Sequence, residues 1–62
     1  MKRYRGEDLR ILRLRKRLRA SDVARAMGVS RQRVCQLEAA RWPSESAAER
    51  VRAAIKEAAA ER

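Results

Sequence analysis

Apolar residues recur along this chain at the three- and four-residue spacing of amphipathic helices, in separate segments. The pattern predicts helix 1 over 7–17, helix 2 over 21–27, helix 3 from 30 to about 40, and helix 4 from Ser44 or Ser46 towards the end of the chain. No segment alternates apolar and polar residues as a half-buried strand does. The sequence therefore predicts an all-α domain of four helices.

Serine, glycine and proline mark the boundaries between these helices. Ser21 and Ser30 are predicted N-caps of helices 2 and 3, because a serine hydroxyl accepts a hydrogen bond from the first turn. Gly28 is the predicted left-handed end of helix 2. Pro43 separates helix 3 from helix 4, and Ser46 lies three residues before a glutamate, as in a capping box.

The apolar positions predict which helix faces are buried. Helix 1 carries two stripes, one of Leu9 and Leu12 and the other of Ile11, Leu14 and Leu18. One stripe faces helices 2 and 3, and the other needs a cover from helix 4 or a second subunit. On helix 4 the predicted core positions are Ala47, Val51, Ala54, Ile55 and Ala58.

Residues 20–39 predict a short helix, a glycine turn and a second helix. Ala24 stands where two helices must approach closely, and Gly28 stands where the chain must turn. The apolar contacts between the two helices are Val23, Met27, Val29, Val34 and Leu37. This arrangement of residues is typical of the helix-turn-helix unit of DNA-binding proteins.

The net charge of +9 favours a polyanionic partner. Residues 1–19 hold nine lysines and arginines against two acidic residues, so the basic surface belongs mainly to the first part of the chain. Met1–Arg5 is predicted to be a short, mobile basic arm, free or following a DNA backbone or minor groove. Residues 6–62 are predicted to form one domain.

Residue types exclude several kinds of chemistry. The chain has no histidine and one cysteine, Cys35, so we expect no metal site. Nothing resembles a nucleophile with its base or a phosphate-binding glycine loop, so no catalytic residue, cofactor or enzyme activity is expected. Cys35 is predicted to be a small, half-buried residue; contact with a thymine methyl group and a redox role are the alternatives. The lone cysteine and the lack of a signal or membrane-spanning run predict a cytoplasmic protein with no membrane partner.

A family resemblance adds to these predictions. The residues that carry it are Leu9, Leu12, Arg13, Leu18, Val23–Ala24, Met27–Ser30, Val34, Leu37–Glu38 and Pro43–Ser44. With them the chain resembles the Cro/phage-repressor (XRE) family of lambda-repressor-like proteins over roughly residues 9–55. The resemblance implies a compact helical DNA-binding domain with an ion pair between Arg13 and Glu38. Residues 29–39 alone are also similar to the recognition helix of the promoter-reading domain of bacterial sigma factors.

The chain departs from the family at several places. One is Ala39–Ala40, where the family often has Asn-Gly, so helix 3 is expected to run longer. Ala20 stands where the family commonly has a phosphate-binding glutamine, so Arg19 or Ser21 would make that contact. The fifth helix of many members is merged into helix 4 or absent, so the resemblance does not predict which surface forms a dimer.

Helix 3 is the predicted reading helix, entering the major groove with its N-terminal residues leading. Arginine can donate twice to guanine, and glutamine pairs with adenine through its amide. The predicted base-contacting residues are Arg31, Gln32 and Gln36, with Arg33 at a base or a phosphate. The predicted phosphate contacts are Arg19, Ser21, Ser30 and Arg41, with Arg10 and Lys16 as weaker candidates. Trp42 is predicted to pack over the junction of helices 3 and 4; a phosphate contact is the alternative.

The sequence thus predicts a regulator that binds double-stranded operator DNA. The leading interpretation is a small Cro-like repressor of a phage or mobile element, acting as a homodimer in solution or only on DNA, with no small-molecule ligand. The alternatives are an architectural or excision factor, and an antitoxin or polymerase-interaction module.

Overall fold

Four helices make up most of residues 4–61, the part of the chain that the computed structural model describes. They are α1 (Gly6–Arg15), α2 (Ala20–Met27), α3 (Arg31–Ala39) and α4 (Glu45–Ala60). Within these residues no strand is present. The predicted four-helix, all-α fold is confirmed.

The core lies between α1, α2 and α3 on one side and the long α4 on the other. α2 packs against both α3 and α4, and α1 does the same. The largest fully buried side chains are Leu9, Val23, Val34, Val51 and Ile55, so every helix contributes. Each of these side chains stabilises the fold by roughly 1.5–3 kcal/mol relative to an exposed position. On α4, Ala48 is buried, whereas Ala47, predicted at the core, is only partly so.

Acidic side chains accept hydrogen bonds at the N-terminal ends of α1 and α2. The N-caps are Arg5 and Arg19, whose backbone N–H groups donate to Asp8 Oδ2 at 2.9 Å and to Asp22 Oδ2 at 2.8 Å. The negative charge of each carboxylate also interacts favourably with the positive end of the helix dipole. The predicted N-cap at Ser21 is therefore wrong, because this residue lies inside the first turn of α2.

Serine hydroxyls cap the N-terminal ends of α3 and α4. Ser30 Oγ accepts from the Arg33 N–H at 3.2 Å, and Ser44 Oγ accepts from the Ala47 N–H at 3.2 Å. The predicted N-cap of α3 is confirmed. Of the two alternatives for α4, Ser44 is the N-cap and Ser46 lies inside the helix.

α1 ends two residues earlier than predicted because Arg17 adopts a left-handed conformation, with a φ of 57°. The Arg17 N–H donates to the Leu14 carbonyl at 2.9 Å, and the Leu18 N–H donates to the Arg13 carbonyl at 3.2 Å. These two bonds form a Schellman motif, which normally has glycine at the left-handed position. The turn buries Leu18.

The prediction that Ile11, Leu14 and Leu18 form one continuous apolar stripe on α1 is therefore wrong. Ile11 and Leu14 are 46% and 49% exposed, and α4 does not cover them. Leu18, the third member of that stripe, is buried because it follows the left-handed turn rather than continuing the helix.

Replacing Arg17 with glycine is expected to stabilise the domain by about 0.5–1 kcal/mol. Glycine removes the steric cost of the left-handed conformation. The loss of the Arg17 side chain's interactions and the greater freedom of the unfolded chain offset part of this gain. Thermal unfolding followed by circular dichroism should show a midpoint higher by a few degrees, on the order of 4–8 °C per kcal/mol. As a matched control, Arg10→Gly at an exposed position in the middle of α1 should lower the midpoint; equal effects would contradict the strain at Arg17.

Candidate DNA-binding surface

The turn between α2 and α3 has the geometry that the sequence predicts. Gly28 has a φ of 73°, in the left-handed region. Its N–H donates to the Arg25 carbonyl at 3.2 Å, and the Val29 N–H donates to the Ala24 carbonyl at 3.0 Å. Because these bonds end α2 and redirect the chain, α3 begins only three residues after Gly28.

α3 has one buried face and one exposed face. Val34, Leu37 and Glu38 are buried against the other helices. The four predicted base-contacting residues are all exposed: Arg31, Gln32, Arg33 and Gln36. Gln32 and Gln36 lie one turn apart on the side of α3 opposite Val34. The exposed face of α3 therefore presents two guanidinium groups and two amides.

An ion pair fixes α3 to α1. The Arg13 guanidinium donates to both oxygens of Glu38, from Nε to Oε2 at 2.7 Å and from Nη2 to Oε1 at 3.0 Å. Its Nη1 also donates to the Leu18 carbonyl at 2.9 Å. The side chains of Arg13 and Glu38 are only 11% and 6% exposed. The pair that the family resemblance implies is present in the structure.

The hydrogen bond from Glu38 is the main reason why the pKa of Arg13 is raised above its usual value; burial opposes this shift. When folding raises the pKa of a cationic group, that group stabilises the folded protein at every pH below its pKa in the unfolded chain. This stability is lost only as the pH rises through the pKa of the group in the folded protein. The contribution of Arg13 is therefore fully present at neutral pH.

A close backbone contact also joins the start of α1 to the end of α3. The Gly6 N–H donates to the Ala40 carbonyl at 3.0 Å. A Cβ atom at Gly6 would overlap the carbonyl oxygens of Leu37, Glu38 and Ala40. The positive start of α1 thus meets the negative end of α3. The sequence does not predict this role of Gly6, since a glycine before an acidic first turn also fits a simple helix boundary.

The sequence model of the helix-turn-helix domain family matches residues 6–62. The chain belongs to the helix-turn-helix domain family. This membership agrees with the resemblance to XRE-like proteins and indicates a DNA-binding regulator. No curated protein and no solved structure matches the chain significantly.

The predicted phosphate-contacting residues of this helix-turn-helix domain lie at helix ends. Arg19 precedes α2, and its side chain is 79% exposed, with Nε 3.5 Å from Asp22 Oδ2. Ser21 is partly buried in the first turn of α2. Ser30 begins α3, and Arg41, which is exposed, follows its other end. The weaker candidates Arg10 and Lys16 are exposed at α1.

The N-terminal residues differ from the mobile arm that the sequence predicts. The Arg5 guanidinium carbon lies 5.1 Å from the ring centroid of Trp42, and that of Arg52 lies 4.6 Å from the ring centroid of Tyr4. Tyr4 and Arg5 therefore contact the helix-turn-helix domain; Met1–Arg3 lie outside the described residues. Trp42 lies between α3 and α4 and is 48% exposed, so the prediction that it packs over their junction is not met by a buried ring.

Cys35 lies on the reading helix and is exposed. The prediction of a half-buried side chain is wrong, because α3 turns this position away from Val34 and Leu37. In residues 4–61, no helix is long and apolar enough to cross a membrane. Across the same residues, no group of three or more metal-ligating side chains is present.

Proposed function

We propose that this helix-turn-helix domain is a sequence-specific regulator that binds double-stranded operator DNA with α3 in the major groove. The observation that carries this proposal is the exposed face of α3. Arg31, Gln32, Arg33 and Gln36 are all available to a ligand, while the opposite face is buried in the core.

The types of side chain on α3 suit base recognition. The guanidinium of Arg31 can donate two parallel hydrogen bonds to O6 and N7 of guanine. The amides of Gln32 and Gln36 can each donate and accept, which matches N6 and N7 of adenine. Arg33 serves at a base or a phosphate. The buried Arg13–Glu38 pair supports this role, because a fixed helix holds its side chains in register with the groove.

Phosphate contacts would hold the domain in that register. Arg19 and Ser30 stand at the starts of α2 and α3, where backbone N–H groups and helix dipoles favour anions. Ser21 lies in the first turn of α2, and Arg41 follows the far end of α3. Together with the net charge of +9, these positions predict a steep loss of binding as salt rises.

The finer proposal is a small Cro-like repressor that binds inverted half-sites as a homodimer and occludes polymerase. Residues 6–62 would act as one domain, with control by protein concentration rather than by a small-molecule ligand. Half-sites about one helical turn apart would fit two reading helices related by a two-fold axis.

Replacing Arg31 with alanine is expected to weaken specific binding by about 1–3 kcal/mol and to relax the preference at one base pair. The measurement is a titration of a selected duplex and of a random duplex by fluorescence anisotropy. Arg15→Ala is the matched control, because it removes the same charge from an exposed position on α1. Equal losses on both duplexes, or equal losses for the two variants, would contradict base reading by Arg31.

A further inference from the structure

The solvent face of α4 carries a regular pattern that the DNA-binding role does not use. Its members are Ser46, Glu49, Arg50, Ala53, Lys56, Glu57 and Ala60, all exposed. Ser46, Ala53 and Ala60 repeat every seven residues, which is close to two helical turns. These three small side chains form a line along the middle of the face, with the charged residues beside it. We call this surface the α4 outer face.

The four charges of the α4 outer face lack partners within their own helix. Positions three and four residues away from Arg50, Lys56 and Glu57 hold no residue of opposite charge. Glu49 has Arg52 three residues ahead, but that guanidinium lies over the Tyr4 ring. Across residues 4–61, the ion pairs are Arg13–Glu38 and Arg19–Asp22, and neither involves the α4 outer face.

The order of these charges is the same in both directions from Ala53. Reading outwards, a cation stands three residues away on each side and a glutamate stands four residues away on each side. At 100° per residue, Glu49 and Lys56 fall on one flank of the line of small residues. Arg50 and Glu57 fall on the other flank. Each flank therefore holds one acid and one base, at nearly equal distances from Ala53.

We propose that the α4 outer face pairs with that of a second copy of this chain, with the two α4 helices antiparallel and crossing at Ala53. A two-fold axis through this point brings like flanks together. On one flank Glu49 then lies about 1.5 Å along the axis from the level of the partner's Lys56. On the other flank Arg50 meets the partner's Glu57 with the same small offset. The symmetry doubles both contacts, so all eight charges are paired.

The helix dipoles favour the antiparallel arrangement over a parallel one. A parallel pair would also place opposite charges together, because Glu49 would meet the partner's Arg50. However, antiparallel helices place the positive start of each α4 beside the negative end of the other. In this arrangement Ser46 lies opposite the partner's Ala60, and the small side chains allow a close approach along the whole line. Each subunit contributes a single 16-residue helix to this interface. The buried area is therefore small, and we expect weak association.

This dimer deepens the homodimer of the proposed function, but its test needs no DNA. The starting protein is the full chain with Cys35→Ser, which removes the only native thiol. Ala53→Cys in this protein should give a disulfide-linked dimer under mild oxidation, because position 53 meets itself at the two-fold axis. Ser46→Cys should cross-link no faster than Glu7→Cys, an exposed position on α1, whereas Ser46→Cys combined with Ala60→Cys should cross-link efficiently.

Charge reversal provides the second arm of the test. In the Ala53→Cys protein, Glu49→Lys should lower the cross-linking rate several-fold, and adding Lys56→Glu should restore it. Efficient cross-linking by Ser46→Cys alone, or no restoration in the double reversal, would overturn the antiparallel pairing. Cross-linking of Ala53→Cys at the rate of the Glu7→Cys control would overturn the α4 interface altogether, while leaving DNA binding by α3 unaffected.

Discussion

Replacing Arg13 with methionine is expected to lower the free energy of unfolding by about 3–5 kcal/mol. The change leaves the carboxylate of Glu38 buried with no cation beside it, and a buried unpaired charge is costly. It also removes the donor to the Leu18 carbonyl. Since a chain of this length is stable by only about 3–9 kcal/mol, the variant should unfold at much lower urea concentration.

Urea unfolding followed by circular dichroism measures this loss, and a double variant provides its control. Arg13→Met combined with Glu38→Leu replaces the ion pair with apolar side chains and should recover most of the stability. Recovery should be incomplete, because the Leu18 carbonyl still lacks its donor. A single Arg13→Met variant as stable as the parent protein would show that the pair does not hold α1 to α3.

Replacing Gly6 with alanine is expected to destabilise the domain by about 3 kcal/mol. Alanine is the better helix former by up to about 1 kcal/mol, which would stabilise α1 if the site were open. The added methyl group would, however, overlap three backbone carbonyl oxygens at the end of α3. Backbone atoms must move to relieve the overlap. The expected loss in the free energy of unfolding is therefore at the upper end of the range for overpacked positions. The measurement is again urea unfolding.

Gly28→Ala is the matched control for Gly6→Ala, because it adds the same methyl group but destabilises the fold for a different physical reason. No atom lies within 4 Å of a Cβ at Gly28, but the positive φ strains any residue with a side chain. The expected loss is about 1–2 kcal/mol. A Gly6→Ala variant that is as stable as the parent protein would contradict the close contact between α1 and α3.

The sequence was sufficient for the helix-turn-helix, because its signals are local. Gly28 ends α2, Ser30 begins α3, and the spacing of Val34 and Leu37 gives the buried face of α3. The Arg13–Glu38 pair, which joins residues 25 positions apart, came from family resemblance rather than from any local pattern.

The features that the sequence did not predict depend on tertiary contacts or on backbone strain. Gly6 is required by the carbonyl groups of α3, which are distant in sequence. Arg17 adopts a left-handed conformation that its residue type disfavours, so the early end of α1 had no sequence signal. The positions of Tyr4 and Arg5 depend on Arg52 and Trp42, and a run of basic residues alone suggests a free arm.

These contacts connect the fold to the proposed reading of DNA. Gly6 and Arg13 hold the end of α3, and Gly28 and Ser30 set its beginning. The exposed side chains of α3 are therefore carried on a helix fixed at both ends. Such preorganisation lowers the cost of ordering the side chains when they bind.

Sequence reading by α3 can be tested by selection of a randomised DNA duplex pool on the purified protein near physiological salt, followed by sequencing. The same selection is run with Arg31→Ala combined with Gln36→Ala. We expect an enriched inverted repeat for the parent protein, with the preference lost at defined base pairs in the variant. No enrichment, or the same motif from both proteins, would contradict sequence reading by α3.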